Sequence, residues 1–284
     1  MRAIKDLLIF VFTVCIGCAG VQTLPQENLP TLEAESTARF FFPSAGGVAE
    51  AYLVRPRGQG PFPLILFLHG HSWLGRGAKQ LLTTAEAIST EICFASMAIS
   101  LPGYGATNIA GGPIGQDTRQ VVLDAIDAAK RLPWIDANRV YLYGESRGAV
   151  VAAVMVNQVA GIEGTVLRSG AYDLPRLYQE TSSWWLKKLL NPKGEANPKL
   201  LNVLADLPAW KTPTLILHGT QDWVIPPSQA LLLRDRLQAS GKTHRLVLFP
   251  DRGHWLPLRE TNAQTVAFLK ERSGWSCPAP AASM

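Results

Sequence analysis

Short apolar runs alternate with helix-like stretches along most of this sequence, from residue 38 onwards. The run at 64–68 (LILFL) is apolar throughout, which is typical of a strand buried on both faces. The stretch 117–131 instead repeats its apolar residues at helical spacing. Because such alternation is typical of parallel strands joined by helices, the sequence predicts an α/β fold: a mostly parallel sheet with helices on both faces.

The same patterns predict the other elements. The first two strands are expected to pair antiparallel around 45–47 (AGG), and Asp117 is expected to cap its helix. The aromatic-rich interval 171–212 breaks the alternation, so it is either a small inserted cap over a pocket or an ordinary crossover helix. The other predicted strands are 38–43, 48–55, 94–100, 140–143, 164–168, 214–217 and 245–249, and the other predicted helices are 78–90, 146–159, 227–240 and 261–270.

Composition indicates one large globular domain. The chain has 284 residues, of which 47% are hydrophobic and 17% charged, and this balance argues against disorder. The net charge of +5 is spread without a basic run, so no nucleic-acid partner is indicated. Four cysteines are too few for a disulfide framework; a Cys93–Cys277 bridge is compatible with the sequence but not required by it.

The N-terminus has the pattern of an export signal. Arg2 and Lys5 precede an apolar stretch at 7–16, and small residues follow it. These ten apolar residues are fewer than the ~20 that a membrane-spanning helix needs. The sequence 15–18 (CIGC) resembles a bacterial lipobox, in which the last cysteine, here Cys18, is lipidated after cleavage.

Two alternatives to lipidation stay open: ordinary cleavage shortly after 19 or 20, and a buried N-terminal helix. The prediction is an exported protein of the bacterial cell envelope, lipid-anchored or otherwise periplasmic or secreted. The predicted organisation is a lipoprotein-type signal at 1–18, a linker at 19–37, one domain at 38–273 and a tail at 274–284.

Residues 144–148 (GESRG) form a G-x-S-x-G pattern between a predicted strand and a predicted helix. The pattern alone is weak and could be a chance match on a tight turn, but the strand–turn–helix context makes it specific. In such a turn the serine hydroxyl projects above the sheet at a helix N-terminus, where backbone N–H groups stabilise developing negative charge. Ser146 is therefore the predicted nucleophile.

A serine nucleophile needs a general base, and the base needs an orienting carboxylate. His254 follows the last predicted strand, which places it at the edge of the sheet where Ser146 emerges. Asp222 follows the strand at 214–217 and is the predicted acid, with Asp251 and Asp173 as competing carboxylates.

These motifs together resemble the α/β-hydrolase superfamily, especially its dienelactone hydrolase and prolyl oligopeptidase-like branches. The order Ser146…Asp222…His254 is the order of that superfamily. The resemblance covers about residues 40–272 and is carried by the segments 66–73, 101–108, 122–149, 215–233 and 248–255.

The resemblance implies hydrolysis through an acyl-enzyme without a cofactor, with the backbone N–H groups of Arg147 and His71 as the oxyanion hole. Usual dienelactone hydrolases use cysteine where this chain has Ser146. Large oligopeptidases carry a propeller domain, for which the chain has no room. Both departures favour a small hydrolase of carboxylic esters, acting on a small-molecule ester or a short peptide.

Three other interpretations were weighed. A serine peptidase would use the same three residues, and a non-catalytic, membrane-tethered binding protein could keep the same fold. His69 and His71 have the spacing of a metal-binding pair, but the Asp-His continuation of a metallohydrolase is missing, so no metal is predicted.

Overall fold

The computed structural model describes residues 29–278 apart from 113, 157, 160, 197 and 199, with the backbone alone for 206–208. Within this part of the chain, eight strands form one sheet in the order β1-β2-β4-β3-β5-β6-β7-β8. Strand β2 runs antiparallel to both neighbours, and the remaining pairs are parallel. The strands are β1 (Ser36–Ser44), β2 (Gly47–Arg55), β3 (Phe62–Leu68), β4 (Ala95–Ile99), β5 (Ile135–Glu145), β6 (Ile162–Arg168), β7 (Thr214–Gly219) and β8 (His244–Phe249).

Helices cover both faces of the sheet, which confirms the predicted α/β architecture. On β3, Leu64 and Leu66 point into the core beneath α2, α3 and α6, whereas Ile65 and Phe67 point into the core beneath α1 and α7. This two-sided burial is why the run at 64–68 is apolar throughout. The helices are α1 (Leu82–Ile92), α2 (Gln116–Lys130), α3 (Arg147–Met155), α4 (Leu174–Glu180), α5 (Trp184–Leu190), α6 (Ser228–Ala239) and α7 (Leu258–Ser273).

One predicted helix cap is wrong. The N-cap of α2 is Gly115, with no side-chain cap hydrogen bond, and Asp117 lies within the first turn. A carboxylate in that turn still interacts favourably with the positive end of the helix dipole, so Asp117 marks the start of the helix without capping it.

The interval 171–212 forms the small inserted cap. Asp173 and Ser183 cap the short helices α4 and α5, and the Trp185 ring contacts the ring of His71 on the loop after β3. The end of the interval returns to the sheet, where Trp210 is buried and donates to Thr214 Oγ1 on β7. The segment therefore covers the carboxyl edge of the sheet before it rejoins the core.

Two other sequence features have different outcomes. The predicted signal, Cys18 and the start of the linker lie outside the described residues. Cys277 forms a disulfide with Cys93, which the sequence allowed but did not require. Among the described helices, none combines the length and apolarity needed to cross a bilayer.

Candidate active site

Ser146 occupies a tight turn between β5 and α3. Its φ of 53° lies in the left-handed region, which costs free energy for any residue with a side chain. A Cβ on Gly148 would overlap the carbonyl oxygen of Leu68, and a Cβ on Gly144 would overlap that of Gly148. The two glycines are therefore required by the close approach of backbone on either side of the serine.

Ser146, His254 and Asp222 meet at the carboxyl edge of the sheet. His254 Nε2 lies 3.0 Å from Ser146 Oγ, and His254 Nδ1 lies 2.8 Å from Asp222 Oδ2. The structure thus brings the predicted nucleophile, base and acid into one hydrogen-bonded line. Proton transfer from the serine to the imidazole is geometrically feasible at this separation.

The carboxylate of Asp222 is buried and held by several donors. Its Oδ1 accepts hydrogen bonds from the backbone N–H groups of Val224 and Ile225, at 2.9 and 2.8 Å. Burial alone raises the pKa of Asp222, but contacts with His218 and His254 and the Ile225 N–H outweigh it and lower the pKa to about 2. Asp222 is therefore ionised at neutral pH, as an acceptor for the His254 ring must be.

The competing carboxylates lie elsewhere. Asp251 is exposed and accepts from Gln221 Nε2, and Asp173 accepts from the N–H of Arg176 at the start of α4. His69 is buried against the backbone of Leu101 and Gly70, and burial lowers its pKa to about 3. It is a neutral structural residue. No cluster of three or more metal-ligating side chains occurs among the described residues.

The backbone around Ser146 supplies the expected oxyanion donors. Gly70 packs against Ser146, where a Cβ would lie 3.2 Å from the serine Cβ. In the described part of the chain, the N–H groups of His71 and Arg147 donate to no acceptor. Both residues line the pocket at Ser146, as an oxyanion hole requires.

Some supporting groups could not be recognised from the sequence. The Tyr104 hydroxyl contacts His71 Nδ1, and the Arg147 guanidinium lies 4.3 Å from the centre of the Tyr104 ring. Arg147 Nε and Nη2 are buried without a hydrogen-bond partner among the described residues. Burial and then the Arg147 charge lower the pKa of His71, which keeps this ring neutral.

A second set of contacts fixes the loop that carries the base. Arg168 donates to Glu145 Oε2 beside the serine and to the carbonyl of Leu256, each at 2.6 Å. Ser169 Oγ donates to the backbone carbonyl of His254 at 3.0 Å. Two residues at the end of β6 therefore connect the serine turn to the histidine loop. Their only signal in the sequence is their position at the end of a buried strand.

A cavity of about 520 Å³ opens onto Ser146 and His254. Its walls are mostly apolar, and α5 supplies one side of them through Trp185, Leu186 and Leu189. The remaining large apolar lining residues are Trp73, Ile114, Val150, Leu174, Leu177, Leu190, Leu200, Leu201, Trp223, Val224, Ile225 and Trp255. A cavity of this size accommodates a ligand the size of a typical small molecule.

Comparison with known proteins places this site in a family. The sequence profile of the prolyl oligopeptidase family matches residues 109–274. The chain belongs to the prolyl oligopeptidase family. The matched region contains Ser146, Asp222 and His254, and the protein is a serine hydrolase of the α/β-hydrolase fold.

Relatives and fold neighbours of this family member include both peptidases and esterases. It is 28% identical over 195 residues to dipeptidyl-peptidase 5 of Porphyromonas gingivalis, covering 62% of this chain and 27% of the relative. It is also 28% identical over 252 residues to the uncharacterized peptidase YuxL of Bacillus subtilis, covering 81% and 37%. The chain thus spans less than two thirds of the length of either relative.

Two solved structures share the fold. Acylaminoacyl peptidase of Pyrococcus horikoshii superposes with a TM-score of 0.71 at 18% identity, covering 89% of this chain and 43% of that one. Acetyl xylan esterase 1 of Thermoanaerobacterium sp. superposes with a TM-score of 0.65 at 17% identity, covering 87% and 86%. At these identities the likeness concerns the fold alone.

Proposed function

We propose that this serine hydrolase cleaves carboxylic esters that carry an apolar acyl group. The observation that carries the proposal is the apolar cavity at Ser146, where leucine and tryptophan side chains leave few polar groups to recognise a peptide backbone. An apolar acyl chain gains free energy from burial in such a cavity without needing hydrogen-bond partners.

In the proposed mechanism, Ser146 Oγ attacks the acyl carbonyl while His254 Nε2 takes its proton. Asp222 holds the imidazole in the required orientation and stabilises its charged form. The N–H groups of Arg147 and His71 bind the negative oxygen of the tetrahedral intermediate. The leaving alcohol departs with the proton from His254, and a water activated by the same ring then releases the acid.

The peptidase alternative is favoured by the named relatives, two of which are called peptidases. An enzyme that removes dipeptides must recognise the charged amino terminus of its substrate. Among the described lining residues the carboxylate nearest the serine is Glu145, and Arg168 already pairs with it at 2.6 Å. This pairing weakens the peptidase alternative for the chain as given.

The test compares p-nitrophenyl esters of increasing acyl length with aminoacyl p-nitroanilides, and uses a fluorophosphonate probe for the serine. We expect covalent labelling that is lost in Ser146→Ala, and a higher kcat/KM for medium-length acyl esters than for any anilide. Faster cleavage of the anilides would favour the peptidase. Absence of labelling and of turnover would favour a non-catalytic binding protein.

We also propose that the protein is exported and anchored through a lipid on Cys18. The lipobox-like sequence supports this, and so does the Cys93–Cys277 disulfide, because such bonds persist in oxidising compartments outside the cytosol. Cys18→Ser is expected to move the protein from the detergent phase to the soluble or unprocessed fraction. Unchanged partitioning would contradict lipidation.

A further inference from the structure

Five large apolar side chains stand exposed around the mouth of the active-site cavity. Their exposed fractions lie between 60% and 78%, whereas the other exposed large apolar side chains in the described part of the chain reach at most 46%. We call this set the tryptophan rim: Trp73, Leu74, Trp184, Trp223 and Trp255. Contiguous exposed apolar surface of this kind marks a binding site for another apolar surface.

The rim is continuous with the cavity. Trp73, Trp223 and Trp255 line the cavity and are also largely exposed. Trp184 precedes Trp185, whose ring meets that of Trp73 at 5.6 Å between centroids. The loops after β3, β7 and β8 and the cap helix α5 thus each contribute to one apolar border. Apolar material that covered the rim would lie directly at the entrance to Ser146.

The charged residues near the rim are mostly basic. Within four positions of a rim residue, three carboxylates occur, and two of them are engaged: Asp222 is buried against His254, and Glu180 pairs with Arg176. The third, Asp251, is exposed. The basic side chains within the same distance are Arg76, Lys187, Lys188, Arg252 and Arg259. An anionic surface would complement this distribution.

We propose that the tryptophan rim docks onto an anionic lipid surface, and that the substrate is a lipid ester whose acyl chain passes from that surface into the cavity. This inference rests on the proposed esterase function. Tryptophan with lysine and arginine is the combination found where proteins meet the membrane interface. Protein–protein interfaces, in contrast, are depleted in lysine.

The experiment uses the full chain with vesicles of phosphatidylcholine, alone or with about 30% phosphatidylglycerol. Because the proposed anchor on Cys18 would bind any vesicle, the readouts are ones that rim insertion changes. The first is quenching of tryptophan emission by brominated lipid. The second is the ratio of hydrolysis of p-nitrophenyl palmitate held in the vesicles to hydrolysis of dissolved p-nitrophenyl butyrate.

The test variant is the double substitution Leu74→Ser, Trp184→Ser, which avoids the residues that line the cavity. The matched control is Phe41→Ser, an exposed aromatic side chain on β1. We expect the wild type to be quenched more on anionic than on neutral vesicles. We expect the hydrolysis ratio to fall about fivefold or more in the double variant and less than about twofold in the control.

Three results would separate the explanations. Equal quenching on both kinds of vesicle, with the same ratio in double variant and control, would overturn the docking proposal. A concentration-dependent dimer that only the double variant abolishes would identify the rim as an interface between two copies and also overturn it. Quenching on anionic vesicles without hydrolysis of either ester would support docking but refute the esterase function.

Discussion

At the scale of single residues, the hydrogen-bonded line from Asp222 through His254 to Ser146 has a direct kinetic consequence. Ser146→Ala, His254→Ala and Asp222→Asn are each expected to lower the kcat for a p-nitrophenyl ester by about 10⁴-fold. Double variants are expected to lose little more than single ones, because the three groups act as one unit. Steady-state kinetics of the purified variants measures both effects.

Asp251→Asn is the matched control for the triad. Asp251 is an exposed carboxylate three residues from His254, but its side chain contacts Gln221 instead of the histidine. Turnover of this variant is expected to stay within about threefold of wild type. Loss of turnover in Asp251→Asn with normal turnover in Asp222→Asn would assign the acid to the wrong residue.

The low pKa of Asp222 also predicts a pH-dependent stability. Its pKa is about 2 in the folded protein and near 3.9 in an unfolded chain, so the ionised form favours folding. This contribution is fully present above about pH 4 and is lost as the pH falls through 2. The free energy of unfolding, measured in urea between pH 2 and 5, should therefore fall less steeply in Asp222→Asn than in wild type.

The control for this measurement is Asp127→Asn, which removes an exposed carboxylate from α2. Its pH profile is expected to parallel that of wild type. Parallel profiles for Asp222→Asn and wild type would contradict a stabilising role of the ionised Asp222.

The limits of sequence prediction are also visible at this scale. Ser146, His254 and Asp222 could be proposed because each follows a recognisable strand, and parallel strands bring their carboxyl ends to one edge of the sheet. The contact of Tyr104 with His71 and Arg147 could not, because a loop rich in glycine and proline has no periodicity to place its side chains. The same holds for His218, whose Nε2 lies 3.4 Å from Asp222 Oδ2.

At the scale of elements, the turn at Ser146 depends on two glycines and can be tested through them. Gly148→Ala places a methyl group against the Leu68 carbonyl, and neither backbone segment can move without disturbing β3 or α3. We expect a loss of at least about 2 kcal/mol in the free energy of unfolding. Chemical denaturation followed by circular dichroism measures it.

Gly112→Ala is the control for the turn. A Cβ at Gly112 meets nothing within 4 Å, and its φ lies outside the left-handed region. Its free energy of unfolding is expected to change by no more than about 0.5 kcal/mol. Equal stability of the two alanine variants would show that the turn relaxes to accept a side chain at 148.

Strands were predicted more fully than the cap. Apolar runs locate β3 and β4 because a buried strand has no polar face, although β5 begins at Ile135, earlier than the apolar residues indicate. The residues 136–139 in between are polar or partly exposed, so composition alone assigns them to a loop. In the cap, α4 and α5 have seven residues each, too few for a helical period to be distinguished from chance.

At the scale of the whole molecule, the α/β architecture follows from the alternation of elements, but the sheet order does not. Strand β4 lies between β2 and β3, so the chain changes direction across the sheet after β3. Each of these strands is buried, and their apolar sequences do not distinguish one neighbour from another. The order was supplied only by the resemblance to α/β-hydrolases.

The Cys93–Cys277 disulfide joins residues 184 positions apart and fastens the segment after α7 to the end of α1. Trp275 in that segment also packs edge-on against Phe62 of β3. A covalent link across so long a loop lowers the entropy of the unfolded chain, so Cys277→Ser is expected to reduce the free energy of unfolding by about 2–4 kcal/mol. Thermal unfolding with and without dithiothreitol is the measurement: the reductant should lower the Tm of wild type towards that of Cys277→Ser and leave the variant unchanged. A wild-type Tm that reductant does not alter, with free thiols detected after treatment, would mean that the packing of Trp275 alone holds the segment in place.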